Sequence, residues 1–122
     1  MVEMIPSLAA VLFCFLLTAA VELLAAELIG IPAGRWYREI LLMNAVTNIP
    51  ANIGIRLLYR VTGGGVRNWL ILLFLHEAGI FLLETGFIAL LIRERRVPAW
   101  AASLAMNLSS FLCGMVIGLF FL

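Results

Sequence analysis

Four long apolar segments follow one another along the chain, separated by short polar segments that contain Pro, Gly and Arg. The apolar segments cover residues 8–31, 40–59, 69–92 and 99–122. Each has about the 20 residues that an α-helix needs to cross the hydrocarbon core of a bilayer. The pattern therefore predicts an all-α integral membrane four-helix bundle, with a single transmembrane domain over residues 1–122. Because the connections are short, neighbouring helices are expected to be antiparallel.

The composition agrees with helices that are surrounded by lipid. Of the 122 residues, 65% are hydrophobic and 12% are charged, whereas roughly 25% of residues are charged in soluble globular proteins. The formal net charge is +1, so no basic surface is expected to bind nucleic acid. The expected partners are the lipid bilayer itself and either further copies of the chain, in a homo-oligomer, or the other subunits of a membrane complex.

The distribution of arginine predicts how the helices are oriented. The predicted loops 32–39 and 93–98 contain Arg35, Arg38, Arg93, Arg95 and Arg96. The opposite side of the membrane would hold Arg60 and Arg67, with Arg56 just inside the second segment. Loops rich in basic residues stay in the cytoplasm. Both arginine-rich loops are therefore predicted to be cytoplasmic, with both termini outside the cell (inner) membrane.

The two halves of the sequence resemble one another. A similar interval separates Glu22 from Asn44 and Glu84 from Asn107, and Met precedes the Asn in both halves. A duplicated helical hairpin explains this pattern and predicts a pseudo-twofold axis along the membrane normal, as in the parallel repeats of some transporters. The alternative is a chance similarity between two pairs of apolar helices.

The charged and amide side chains inside the predicted spans carry most of the functional information. A charge at the bilayer centre costs roughly 2.5–3.5 kcal/mol on insertion scales, so it needs internal partners. At about 1.5 Å of rise per residue, several of these groups share a level roughly 12 Å inside the cytoplasmic boundary. The predicted substrate- or ion-binding residues are Glu22, Glu84, Asn44, Asn48, Asn107 and Ser110. Two close carboxyls in a low-dielectric medium do not both ionise easily, so a proton or a cation is expected to accompany them.

The second segment carries a stripe of amide side chains beside a proline. Asn44, Asn48 and Asn52 follow one another at four-residue spacing and so share a helix face. Pro50 removes a backbone donor within this stripe, which predicts a kink or a local break in the helix. Transporter sites use such breaks, although asparagine side chains also join helices without any further role.

Two further features concern the contacts between helices. Glu77 and Arg56 lie at a similar predicted depth and are expected to form an intramembrane ion pair, unless Arg56 snorkels to the interface alone. Small residues at four-residue spacing predict close helix packing in the fourth segment, with a similar face on the third. They are Ser110, Gly114 and Gly118, then Gly79 and Gly86.

The residues that common active sites require are missing. His76 is the only histidine and the chain has no Asp, which excludes a Ser/His/Asp set and a haem held by two histidines of one chain. No phosphate-binding glycine loop is present. We therefore predict no catalytic residues, no enzyme activity, no cofactor and no metal, with a carboxylate-rich metal site at Glu22, Glu84 and His76 as the alternative.

The sequence resembles an uncharacterised group of small four-helix prokaryotic membrane proteins. The resemblance rests on Glu22, the Asn-x-x-Thr-Asn-Pro-like segment over 44–50, Glu77, Glu84, Asn107, Ser110 and Gly114. This chain departs from the pattern because Ile49 stands between Asn48 and Pro50. The resemblance implies the four-helix membrane fold and no activity.

Three classes of function are compatible with these features. A small transporter or channel-like protein for a proton, a cation or a small polar solute is favoured, because burying so many ionisable groups for packing alone is costly. A non-catalytic accessory subunit of a larger membrane complex is the alternative. An intramembrane enzyme acting on lipid ranks third, since no pair of nucleophile and base is present.

Overall fold

The computed structural model describes residues 8–121, and the side chains of all of these except residues 10, 11 and 117–121. Within residues 8–121 the chain forms four α-helices and no strand. The helices are α1 (Leu8–Ile29), α2 (Ala33–Val61), α3 (Val66–Leu91) and α4 (Ala99–Phe121). The all-α prediction is confirmed for this part of the chain, while position 122 of the predicted fourth segment lies outside the described residues.

The second helix begins at Ala33, so the loop predicted over residues 32–39 is corrected to the short turn at 30–32. Gly30 adopts a φ of +97° there, which favours glycine. The Ala33 N–H donates to Glu27 Oε2 at 2.8 Å, which satisfies one of the free donors at the helix start. The first turns of α2 contain charged residues, which lower the hydropathy there. The apolar segment is therefore shorter than the helix and does not include its start.

The α2 helix is also continuous through Pro50, so the predicted local break is not formed. Proline removes one backbone hydrogen bond from a helix. Membrane helices tolerate this loss because side chains and neighbouring helices provide other partners for the freed carbonyl group.

The helices pack in a closed ring. Helix α1 contacts α2 and α4, and α3 also contacts α2 and α4. Within the described part of the chain, α1 and α3 lie on one diagonal of the ring, and α2 and α4 lie on the other. Side chains from all four helices therefore meet along the central axis.

Apolar side chains fill one end of this axis, next to the turn at 30–32 and the linker at 92–98. We call this cluster the apolar core; it consists of Ala25, Ala26, Ile31, Ile40, Met43, Ile88, Ile92, Ala99, Ala102 and Met106. Several of these residues have no exposed surface at all. The core therefore closes the space between the helices at this end.

Polarity is inverted relative to a soluble protein. Buried polar residues include Glu22, Asn44, Thr47, Asn48, Glu84, Ser103 and Asn107. Large apolar residues are exposed on every helix, among them Leu28, Val46, Phe74 and Leu104. Three stretches, Leu12–Ile29, Val66–Leu91 and Ala99–Val116, are long and apolar enough to cross a membrane. This arrangement is consistent with a membrane protein.

Candidate functional site

The two glutamates Glu22 and Glu84 lie fully buried on the diagonally placed helices α1 and α3. Both oxygens of Glu22 have polar partners. Asn44 Nδ2 of α2 donates to Oε2 at 2.8 Å, and Ser110 Oγ of α4 lies 3.3 Å from Oε1 and 3.1 Å from the Asn107 carbonyl oxygen. This carboxyl is thus held between two helices that belong to different halves of the sequence.

The second carboxyl has fewer partners. Glu84 Oε1 lies 3.4 Å from Thr47 Oγ1 of α2, and Glu84 Oε2 is buried without a hydrogen-bond partner among the described residues. The Thr47 hydroxyl also donates to the Met43 carbonyl oxygen at 2.8 Å. A hydroxyl has one hydrogen, so if that hydrogen stays on the shorter bond, the contact with Glu84 needs a proton from the carboxyl.

Helix α2 connects the two carboxyls. Asn48 Nδ2 donates to Asn44 Oδ1 at 2.8 Å and lies 3.3 Å from Thr47 Oγ1. A continuous chain of hydrogen bonds therefore links all four helices, and we call it the carboxyl cluster. In order along the chain of bonds, its members are Ser110, Glu22, Asn44, Asn48, Thr47 and Glu84.

The remaining predicted amide, Asn107, lies beside this cluster. Its Nδ2 donates to the Ser103 carbonyl at 2.8 Å and lies 3.3 Å from Ser103 Oγ. The Ser103 hydroxyl donates in turn to the carbonyl oxygen of Phe81 in α3 at 3.0 Å. These bonds join α4 to α3 and fix the Asn107 side chain at the edge of a cavity.

This cavity has a volume of about 280 Å³ and lies at the end of the molecule opposite the apolar core. All four helices line it, and its polar lining residues are Thr18, Asn48, Asn52, His76, Glu77, Asn107 and Ser110. Because Asn48 and Ser110 also belong to the carboxyl cluster, the polar cavity reaches the cluster from this side. The predicted packing glycine Gly114 lines the same cavity, whereas the side-chain position of Gly118 lies outside the described residues.

The adjacent residues His76 and Glu77 lie farther along the cavity wall. His76 Nδ1 is 3.5 Å from Glu77 Oε1. Both imidazole nitrogens are buried without a hydrogen-bond partner in the described part of the chain. The two imidazole nitrogens are therefore unsatisfied polar atoms in the wall of the cavity.

The predicted ion pair between Glu77 and Arg56 is not formed among the described residues. Arg56 is exposed and lies in a separate groove with Tyr59 and Trp69. The reason is helix geometry, since each four-residue step turns the side-chain direction by about 40°. The three steps from Asn44 to Arg56 therefore turn it by about 120°, from the helix interface to the outer surface.

Two buried polar residues of the site were not among the predicted binding residues. Thr47 lies three residues after Asn44, and Ser103 lies four residues before Asn107, so each shares a helix face with a predicted site residue. Helical spacing from the asparagines would have found both. A hydroxyl costs less to bury than a carboxyl or an amide does. The burial cost therefore indicates the glutamates and asparagines before Thr47 and Ser103.

Among the described residues, no three side chains of His, Cys or Glu lie close enough together to hold a metal ion. The alternative metal site at Glu22, Glu84 and His76 is thus not assembled in this part of the chain.

No protein-family model matches the sequence, and comparison with curated proteins and with solved structures found no match.

Proposed function

We propose that this protein is a small membrane transporter or channel-like protein in which the carboxyl cluster carries a proton. The observation that supports this most directly is the continuous chain of hydrogen bonds from Ser110 through Glu22 to Glu84, at the inner end of the polar cavity. The wider class of transported species that fits the site also includes other cations and small polar solutes.

The cost of this cluster argues for a role beyond packing. A carboxyl in the membrane interior costs several kcal/mol on insertion scales, and apolar side chains would fill the same volume without that cost. The other end of the helix ring is filled in this way, by residues such as Met43 and Met106. The carboxyls are therefore better explained by a function that uses them.

The hydrogen-bond partners favour a proton over a metal cation. Asn44 and Ser110 already contact the two oxygens of Glu22, and a cation would compete with them for these oxygens. A proton needs no additional ligands and fits the contact between Thr47 and Glu84, where a carboxyl hydrogen completes the bond.

We also propose four membrane spans built from two duplicated hairpins. Helix α2 exposes apolar residues such as Leu42 and Val46 and buries Asn44 and Asn48, as expected for a span surrounded by lipid. Thr47 and Ser110 each lie three residues after the corresponding asparagine, and each contacts the glutamate of the other half, at 3.4 and 3.3 Å. Such reciprocal contacts support a pseudo-twofold axis along the membrane normal.

The arginine-rich connections support a cell (inner) membrane orientation with these connections in the cytoplasm. The polar cavity would then face the outside and the apolar core the cytoplasm.

The test is proton flux into liposomes that contain the purified protein. A pH-sensitive dye trapped inside reports the flux, and a potassium diffusion potential set with valinomycin drives it. The Glu84→Gln variant keeps the shape and hydrogen-bonding groups of the side chain but lacks an exchangeable carboxyl proton, so flux should stop while helix content is unchanged. The matched control is Glu94→Gln, which removes the same charge from a half-exposed position. Normal flux through Glu84→Gln would refute the carboxyl mechanism.

A second candidate is a non-catalytic accessory subunit, and one observation favours it. A Cβ atom added at Gly79 or Gly86 of α3 would meet nothing within 4 Å, so this small face is not used for packing within the chain. Native mass spectrometry of gently extracted protein separates the candidates. A homo-oligomer favours transport, and a stoichiometric complex with other chains, lost in Gly86→Leu, favours the accessory role.

A further inference from the structure

A second recess, which we call the basic crevice, lies at the end of the molecule opposite the polar cavity. It has a volume of about 540 Å³ and lies between the turn that joins α1 to α2 and the linker that joins α3 to α4. Its charged lining residues are Glu27, Arg35, Glu94, Arg95 and Arg96. None of them takes part in the carboxyl cluster.

Both acidic residues of the crevice already have partners. Glu94 Oε2 is 2.9 Å from Arg35 Nη1, in an ion pair. Glu27 Oε2 accepts the hydrogen bond from the Ala33 backbone at 2.8 Å, at the start of α2. These carboxylates neutralise Arg35 and the helix terminus, and they leave the other two arginines of the crevice without an acidic partner.

Neither Arg95 nor Arg96 forms an ion pair within the described part of the chain. Arg95 Nε is buried and has no hydrogen-bond partner there. A buried charged donor without an acceptor is costly, so turning the Arg95 side chain toward an acceptor on a ligand in the crevice would be favourable. The arginine side chain thus offers a binding group that the protein itself does not use.

The second arginine is held in position by the backbone turn. The Cβ, Cγ and Cδ atoms of Arg96 lie 2.8 Å from the place where a Cβ atom on Gly30 would stand. The glycine therefore allows the aliphatic part of Arg96 to pack directly on the turn. This packing restricts the side chain before any ligand binds and reduces the entropy lost on binding.

We propose that the basic crevice binds a phosphate group through Arg95 and Arg96. Guanidinium groups donate parallel pairs of hydrogen bonds that match phosphate oxygens. Two sources of phosphate share this chemistry, the headgroup of an anionic lipid and a soluble phosphate. The neighbouring Leu28 is 87% exposed at the rim and would contact the acyl chains of a lipid, as expected for basic pockets on the cytoplasmic side of membrane proteins.

The first experiment is native mass spectrometry of delipidated protein in detergent, with an equimolar mixture of phosphatidylglycerol and phosphatidylcholine. Wild-type protein should retain phosphatidylglycerol selectively. The double variant Arg95→Gln/Arg96→Gln should lose about tenfold or more of this binding, since charge-assisted hydrogen bonds are involved. The control Arg60→Gln/Arg67→Gln removes the same charge at the opposite end of the helices and should bind as the wild type does.

Arg95→Lys with Arg96→Lys distinguishes a shaped site from simple charge attraction. These substitutions keep both charges and remove the paired donors, so a clear loss of phosphatidylglycerol supports the proposal. Equal binding by the wild type and the Lys variant would overturn it. Circular dichroism checks that each variant keeps its helix content.

A second arm identifies the source of the phosphate, using equilibrium dialysis with radiolabelled inorganic phosphate. Binding of inorganic phosphate that depends on Arg95 and Arg96 supports a soluble ligand, and binding of phosphatidylglycerol alone supports a lipid. If neither probe binds, the site does not exist. The same conclusion follows if Arg95→Gln/Arg96→Gln binds as the wild type does, like the Arg60→Gln/Arg67→Gln control.

Discussion

The two ends of the helix ring differ in what fills the space between the helices. At the end near the turn 30–32, the apolar core leaves residues such as Ile40 and Met106 without exposed surface. At the other end, a polar cavity of about 280 Å³ is lined by amide, hydroxyl and acidic side chains. The carboxyl cluster lies between the two.

Among the described residues, this difference leaves the carboxyl cluster in contact with a cavity on one side, and with the apolar core on the other. Water or a solute in the cavity would contact Asn48 and Ser110, which belong to the cluster. The apolar core offers no polar group to a proton or solute that leaves in the other direction. Under the proposed function, transport would require the helices to separate at the core, and the core and the cavity should respond differently to substitution.

The largest effect on stability is expected in the apolar core. Met106→Ala removes a side chain with no exposed surface and should lower the free energy of unfolding by about 2–5 kcal/mol, through lost packing contacts. The matched control in the same helix is Met115→Ala, at a position that is 51% exposed, which should change it by less than about 0.5 kcal/mol. Reversible unfolding in mixed micelles measures both. Equal effects would mean that the core does not hold the helices together.

The next effect concerns the cluster between the two ends. Asn44→Leu removes the donor to Glu22 Oε2 and the acceptor of Asn48. Leaving these buried groups unsatisfied should lower the free energy of unfolding by about 1–3 kcal/mol. Asn52→Leu makes the same chemical change two turns along α2, at a half-buried position of the cavity wall, and should cost clearly less in the same unfolding assay. A larger loss in Asn52→Leu would place the critical hydrogen bonds in the cavity instead of the cluster.

The polar cavity can be tested with little change in stability. Cys14 lines the cavity, and Gly114 lies in the same wall with no atom within 4 Å of an added Cβ. In a Cys113→Ser background, a water-soluble thiol reagent should label Cys14, and Gly114→Leu should slow this labelling by occupying the cavity. The control Gly86→Leu adds the same side chain at an exposed position of α3. Unchanged labelling in Gly114→Leu would show that the reagent reaches Cys14 by another route.

The sequence predicted the helices better than it predicted individual contacts. Apolar segments long enough to span a bilayer identify helices directly, but depth along them does not decide which asparagine meets which carboxyl. Asn44, not Asn48, donates to Glu22, at 2.8 Å. Hydropathy cannot distinguish a charged helical turn from a loop, so the start of α2 at Ala33 was missed. The roles of Thr47 and Ser103 depend on how the helices are rotated against one another, and depth alone does not give that rotation.

The smallest effect is expected at Arg56. The depth of this residue along α2 predicts a pair with Glu77, whereas the rotation of α2 directs its side chain outward. Depth pairs this arginine with Glu77 inside the membrane, while the structure leaves it exposed in a groove beside Tyr59 and Trp69. Removing an exposed and unpaired charge changes stability by less than about 0.5 kcal/mol, whereas breaking a buried ion pair costs about 3–5 kcal/mol. Arg56→Gln should therefore unfold as the wild type does in mixed micelles, and adding it to Glu77→Gln should change the stability of that variant no further. If both variants instead lost several kcal/mol, and the double variant lost no more than either one, the two side chains would be paired and α2 would be rotated toward the polar cavity.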